Sequence, residues 1–376
     1  MNAVRIGIVG AGLMGRELAS AAARWIHLLD VDFHPEIVAV CDVDSARLEW
    51  FAERVVPRDA LYTNVDDMLA RPDVDAVYCA VPHNLHEELY VKILRAGKHL
   101  FAEKPFGIDK AAGAAIAEVA AAAPELLVRC SSEFPFWPGA LRIFEAVQAG
   151  RFGDVIEVRA AFLHSSDMDP GKPINWKRMV DINGRYGVLG DLGLHVLHLP
   201  LRLGWRPDIV FAVLSNIVRE RPNAAGELVP SETWDNALLA CRERSGFPML
   251  LEVKRIAPGE MDTWSFEVLG TRGGARFSTK HPKTLWTLDY EPGGEQSWAA
   301  TDLGYRSAYP TITGEIFEFG FSDSILQMLA AFCDEVVHGE DMLGPMRCVT
   351  LEETQLQHAI LTAALESGES GAAVRL

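Results

Sequence analysis

The chain has 376 residues, 49% of them apolar and 23% charged, with a formal net charge of -17. Its length exceeds what a single core usually organises, so two domains are expected, and the balance is that of a folded globular protein rather than a disordered or fibrous one. So acidic a surface repels phosphate backbones and anionic lipid heads, which argues against nucleic acid and membranes as partners and leaves small molecules open.

Strands are expected at residues 5–9, 37–41, 76–80, 99–102 and 126–130, alternating with helical stretches at 14–25, 46–54, 85–96 and 110–123. This alternation implies right-handed crossovers and a doubly wound parallel sheet, giving an α/β Rossmann-type domain over residues 1–131. Few residues precede the first strand, so no signal peptide is expected there. The longest apolar stretch, 111–123, is interrupted by Gly113 and Glu118 and reads as a packed helix rather than a membrane span. After Pro135 the rhythm changes. A helix at 139–149 leads into longer strands at 155–163, 209–216, 236–242, 249–255, 265–269, 275–278 and 284–289, and helices at 323–337 and 351–366 close the chain. Short glycine turns between several of these strands predict an α+β domain over 132–376, built on a large open, mostly antiparallel sheet. Trp264 and Trp286 look exposed on its strands and point to a sheet-to-sheet interface, hence a homodimer or homotetramer. The six cysteines show no close spacing of the metal or redox kind, which suits reduced thiols and a cytoplasmic setting.

Gly10-Ala11-Gly12-Leu13-Met14-Gly15 follows the first strand and opens the first helix. Gly10 permits the tight turn, Gly12 lets the backbone approach a pyrophosphate, Gly15 allows close helix–strand packing, and the helix N-terminus favours an anion. The alternative is a glycine-rich turn with no ligand. The second strand ends at Asp42, where a carboxylate can accept from both ribose hydroxyls; followed by Asp44 it repels a 2'-phosphate, favouring NAD over NADP. Arg47 leaves some room for NADP, and a turn or helix cap is the other reading of Asp42. Residues 26–35 read as a loop extension before that strand. The strand at 76–80 runs into Val81, Pro82, His83 and Asn84, a loop placed to line the nicotinamide ribose, with His86 either contacting the cofactor or packing beneath the loop.

Glu103-Lys104-Pro105 follows the strand at 99–102 and puts a lysine where parallel strands deliver side chains to a ligand, with Glu103 and Lys104 both expected at the cofactor. Lys104-Pro105 is also an X-Pro bond, for which the cis form is accessible. Farther along, Asp191 and His195 lie four apart within 187–198 and share a face if that stretch is helical, with His198 close by. A carboxylate beside an imidazole orients it and raises its basicity, as a general base requires. Helix capping by Asp191, core packing of His195 and metal binding remain open here, although no third metal ligand is suitably spaced.

Taken together, Gly10-x-Gly12-x-x-Gly15, the Pro82–His86 stretch, Ala96-Gly97-Lys98-His99, Glu103-Lys104-Pro105 and Asp191-x-Gly193-x-His195 resemble the Gfo/Idh/MocA family of oxidoreductases. The resemblance spans both halves. It implies a Rossmann domain, a C-terminal sheet domain often used for oligomerisation, and NAD(P)-dependent oxidation of a sugar, polyol or related alcohol. By it, Lys104 matches the site lysine, and Asp191 and His195 match the second site motif. The chain departs from the pattern at Asn183-Gly184-Arg185-Tyr186-Gly187, where a glycine cluster is thinned, and at His198, where Asp is frequent. Both departures bear on substrate identity.

The expected chemistry is hydride transfer from an alcohol carbon, with His195 as base held by Asp191 and Lys104 bonded to the same oxygen; the converse assignment, with Lys104 as base, stays open. Trp176, Lys177, Tyr186, His164 and His198 are candidate substrate contacts. Two other classes compete: an NAD-dependent glycoside-cleaving enzyme that recycles a bound cofactor, and a nucleotide-binding regulator without chemistry.

Overall fold

The structure, a computed structural model, describes residues 1–317 and 319–376. The chain forms two compact units: Met1–Gly107 with Ala111–Phe136 and Tyr305–Thr354, and Trp137–Gly304 with Ile108–Lys110 and Gln355–Leu376.

The first unit alternates β1 (Asn2–Val9), α1 (Leu13–Ala23), β2 (Phe33–Cys41), α2 (Ser45–Arg54), β3 (Leu61–Tyr62), α3 (Val65–Leu69), β4 (Ala76–Cys79), α4 (His86–Arg95), β5 (His99–Ala102), α5 (Lys110–Ala121) and β6 (Val128–Cys130). The sheet order is β6-β5-β4-β1-β2-β3, all parallel, and the short strand Val349–Thr350 pairs antiparallel on the outer side of β6. β4 is buried throughout, as expected of a strand covered on both faces. Register decides where ligands can be met. Val9 lies opposite Cys41 and Cys79, Cys79 opposite Ala102, and Ala102 opposite Cys130. The five strands therefore end level, and whatever follows each of them is presented along one edge of the sheet.

Sequence periodicity places the domain cut after residue 131; in the structure, residues Tyr305–Thr354 join the first unit. The helix Phe321–His338 explains this return. Its Phe332 stacks on Phe101 of β5 with ring centroids 4.5 Å apart, and Glu335 accepts from Arg129 of β6 at 2.6 and 2.8 Å. β2 also begins earlier than expected, at Phe33, because that ring is fully buried against Trp25, whose indole N–H donates to the Phe33 carbonyl at 3.0 Å. The loop expected over 26–35 is correspondingly shorter. β3 and α3 have no counterpart in the sequence expectations; both are too short to show a period.

The second unit contains α6 (Pro138–Gln148), β7 (Val155–His164), α7 (Val180–Asn183), α8 (Val188–Arg202), β8 (Pro207–Ser215), the ribbon β9 (Glu220–Pro222) and β10 (Leu228–Pro230), then β11 (Asn236–Glu243), β12 (Pro248–Lys254), β13 (Asp262–Gly270), β14 (Gly273–Ser278), β15 (Thr284–Asp289) and β16 (Ala299–Asp302). Its large sheet runs β16-β15-β14-β13-β7-β12-β11-β8 and ends on the strand Val374–Arg375; β7 and β12 are parallel and every other neighbour antiparallel. One face, carrying Ala160, Phe162, Leu239, Leu251 and Val253, is buried, and α8 packs against β7 and β12. The alternate positions Phe211, Val213, Leu238 and Leu250 face outward and are apolar as well, whereas a one-sided sheet normally alternates apolar with polar. Trp264 belongs to the buried face. It is fully enclosed, and its indole N–H donates to the His195 carbonyl at 2.9 Å, so the expectation that it is exposed is corrected. Trp286 does line the open face.

Candidate active site

At the carboxyl edge of the first unit, the glycine loop is constrained by neighbouring backbone. Gly10 has φ +99°, and a Cβ there would run into the Ala80 carbonyl; one on Gly15 would meet the Gly10 carbonyl. A Cβ on Gly12, by contrast, would meet nothing within 4 Å, and Gly12 is the N-cap of α1, with no side-chain cap. The loop thus offers open backbone and uncapped amides, the arrangement that accepts a pyrophosphate. The exposed side chains Leu13 and Val43, 74% and 90% accessible, stand at the ends of β1 and β2. Asp42 is buried: one carboxylate oxygen accepts from the Ala11 amide at 2.8 Å and the other from the Asp44 amide at 2.9 Å. Arg47 pairs with Asp44 at 3.3 Å and lies 3.9 Å from Asp42. Asp44, rather than Asp42, caps α2, through the Ala46 amide. These residues fit an adenine dinucleotide. After β4, Val81 and Pro82 are half-buried and Asn84 is exposed.

Lys104 follows β5, half-buried, and its bond to Pro105 is cis. Glu103, expected at the cofactor, is instead internal, and so is His86, in keeping with the second of its two readings, packing beneath the loop. One Glu103 carboxylate oxygen accepts from the Tyr78 hydroxyl at 2.6 Å and the Ser131 hydroxyl at 2.7 Å, and the other from the Lys104 amide at 3.2 Å. The Tyr90 hydroxyl donates to the Glu103 carbonyl at 2.8 Å. The fully buried His86 ring sits between the carbonyls of Pro105 and Val81. Apolar neighbours and short polar bonds select these roles, and neither shows as a period in sequence.

In the second unit, α8 begins at Val188 with Gly187 as N-cap, so Asp191 is not the cap. Its carboxylate meets two cations: Lys177 Nζ at 3.1 and 3.2 Å, and Arg255 at the end of β12. Asp191 is 1% exposed and His195 5%. His195 stands edge-on to Phe162, ring centroids 5.3 Å apart, and Phe162 also meets His164. Burial holds the His164 imidazole below its ordinary pKa despite Asp262 at 3.4 Å. Trp176 is half-buried beneath the Lys177 ammonium, 5.6 Å from its ring. Tyr186 is buried, and its hydroxyl pairs with Thr362 of the closing helix at 2.9 Å. His198 is wholly buried in α8. Behind the site, Asp167 receives Arg178 and Lys172, which hold its carboxyl down at about 2 against the opposing effect of burial, and Arg178 also meets Asp235. Arg255, Asp167 and Asp235 were missed in the sequence; a charged residue closing an apolar strand, as in Met249-Leu250-Leu251-Glu252-Val253-Lys254-Arg255, was the available signal. Among the described residues no three His, Cys, Asp or Glu side chains group as a metal set.

Two family descriptions match this chain: the NAD-binding Rossmann fold of the GFO/IDH/MocA oxidoreductases over residues 4–133, and the GFO/IDH/MocA C-terminal domain over residues 140–276. The chain belongs to this oxidoreductase family. Levoglucosan dehydrogenase of Pseudarthrobacter phenanthrenivorans is 25% identical to it, covering 81% of this chain and 85% of that protein. Myo-inositol 2-dehydrogenase of Thermotoga maritima is 26% identical, over 90% and 89% of the two chains. The fold is shared with an inositol dehydrogenase homolog from Azotobacter vinelandii solved with NAD+, at a TM-score of 0.84 and 20% identity, covering 100% of this chain and 98% of that one. No helix among the described residues is long and apolar enough to cross a membrane.

Proposed function

We propose that this oxidoreductase is an NAD-dependent dehydrogenase acting on an alcohol carbon of a sugar, polyol or inositol. The observation that carries the reading is Lys104, placed after β5 on the level edge that also carries the open glycine loop and Asp42. Gly10, Gly12, Leu13, Met14 and Gly15 would hold the pyrophosphate, Asp42 the adenosine ribose, and Val81, Pro82 and Asn84 the nicotinamide side. Bound NAD supplies the hydride acceptor. NAD is preferred to NADP because Asp42 is pinned by two amides and Arg47 is turned toward carboxylates, so a 2'-phosphate would meet negative charge.

The proposed base is His195, through a ring nitrogen, and the proposed hydrogen-bond donor to the alcohol oxygen is Lys104. Asp191 holds Lys177 and Arg255 at the start of α8, one turn before His195. Trp176 offers a flat apolar face beside the Lys177 donor, a combination suited to a sugar ring with its C–H face and hydroxyl edge. The outward apolar residues Phe211, Val213, Leu238 and Leu250 line a groove of about 800 Å³ and support assembly of identical subunits through this sheet face. Six buried free cysteines suit the cytoplasm.

The test is a screen of sugars and inositols by absorbance of reduced cofactor, with NAD and NADP in parallel. Net NADH formation with one class of polyol is expected. Turnover of a glycoside without net NADH, or no turnover at all, would overturn the reading.

A further inference from the structure

Lys104 is held through its neighbours' backbone. The Glu103 carbonyl accepts from Tyr90, the Lys104 amide donates to the Glu103 carboxylate, and the Pro105 carbonyl accepts from the Gly107 amide at 2.8 Å. A further contact, like that of Tyr90, comes from α4. His86, at the start of α4, places Nδ1 2.7 Å from the Pro105 carbonyl oxygen and Nε2 3.0 Å from that of Val81. Tyr90, one turn along α4, stacks on the imidazole with ring centroids 4.8 Å apart, and His83 lies at 5.4 Å. A single ring thus spans the loop after β5 and the loop after β4.

Both carbonyls accept only, and a neutral imidazole has one proton to donate. Burial, with the Lys104 charge as a lesser cause, outweighs the two carbonyls and pushes the His86 imidazole down to about 4, so the ring is neutral near physiological pH. The Pro105 contact is the shorter and is fully buried, whereas the Val81 contact is partly open to solvent. The Pro105 oxygen keeps the Gly107 amide in either tautomer, so the difference lies at the bare ring nitrogen: its lone pair facing a carbonyl oxygen is repulsive, and more so at the shorter contact that water cannot enter. The proton therefore belongs on Nδ1.

We propose that His86 is a positioning residue for Lys104: its Nδ1–H holds the Pro105 carbonyl and thereby sets where the Lys104 ammonium stands relative to the loop after β4. The kinetic consequence rests on the dehydrogenase reading; the tautomer does not. A displacement of about 1 Å at a group bonded to the reacting oxygen can cost ~10²-fold in rate.

Two measurements test this. In histidine-labelled protein without cofactor, long-range proton–nitrogen NMR should show one neutral tautomer at neutral pH, protonated at Nδ1, whose signal is lost in His86→Asn. An Nε2–H tautomer, or a rapidly averaging pair, would overturn the proposal. In kinetics, the Asn amide can stand where Nδ1 stood and the Gln amide where Nε2 stood. His86→Asn should keep a kcat close to wild type, while His86→Gln should lose ~10²-fold, with NADH affinity by fluorescence unchanged in both. Equal kcat values for the two variants, or a loss accounted for by weaker NADH binding, would also overturn it. If neither variant folds, the signal is assigned by its through-space contact with the stacked Tyr90 ring, and the tautomer decides. If no polyol yields NADH, the substrate reading falls and the NMR result stands.

Discussion

Lys177 Nζ lies 3.1 and 3.2 Å from the two carboxylate oxygens of Asp191, and Arg255 reaches the same group. One buried acid thus ties the turn that carries Trp176, the first turn of α8 and the end of β12. Removing its charge leaves two cations facing each other. Asp191→Asn should destabilise the protein by about 3–5 kcal/mol, the usual cost of breaking a buried pair by removing one partner. Lys177→Met, whose side chain is 32% exposed, should cost much less. Urea titration of both variants checks the ranking, and an Asn variant as stable as wild type would show that the carboxylate does not anchor the site.

Lys104→Met should lower kcat/KM by ~10²–10³-fold, the loss usual for removing one preorganised donor to a reacting oxygen. NADH affinity should change little, since the glycine loop and Asp42 remain. Stopped-flow hydride transfer and fluorescence titration separate the two effects. Full activity in the variant would remove Lys104 from the chemistry.

Asp235 is fully buried, accepts from the Ile217 and Val218 amides at 2.6 and 3.0 Å, and faces Arg178 at 2.8 Å. Asp235→Ala leaves the buried Arg178 guanidinium with one carboxylate, Asp167, in place of two, and leaves two amides without their acceptor. A loss of about 3–5 kcal/mol is expected, read as a drop in the denaturation midpoint. A change under a third of that would mean the cluster relaxes freely around the gap.

His338 on the helix Phe321–His338 places Nδ1 2.6 Å from Asp334 and Nε2 3.2 Å from Asp32. The Asp334 hydrogen bond, more than the Asp32 charge, raises its pKa above 6.5. Because the folded value is the higher one, this contribution is complete below 6.5 and is lost as pH climbs through the raised value. His338→Gln should therefore flatten the decline of Tm on the alkaline side of 6.5. Identical Tm–pH slopes for variant and wild type would count against the pairing.

Most of the first unit's architecture was legible along the chain. The strands that lead into Gly10, Asp42, Val81 and Glu103 carry apolar runs and turn residues that act locally, and the level register of β1, β2, β4 and β5 follows from the parallel fold they specify. The return of Tyr305–Thr354 to that unit was not legible. It depends on Phe332 meeting Phe101 and Glu335 meeting Arg129, contacts between residues more than 200 positions apart in both cases.

The same division separates chemistry from arrangement at the site. By itself the sequence determined which groups are present: a glycine loop, an acid after the second strand, a lysine before a proline, and an acid four residues before a histidine. Only the tertiary structure decided that Asp191 answers to Lys177 and Arg255, that Glu103 and His86 turn inward, and that Trp264 is core. Motifs encode local geometry within a few residues, whereas the partner of a buried charge is set by which distant strand ends beside it and by the cost of leaving that charge unpaired.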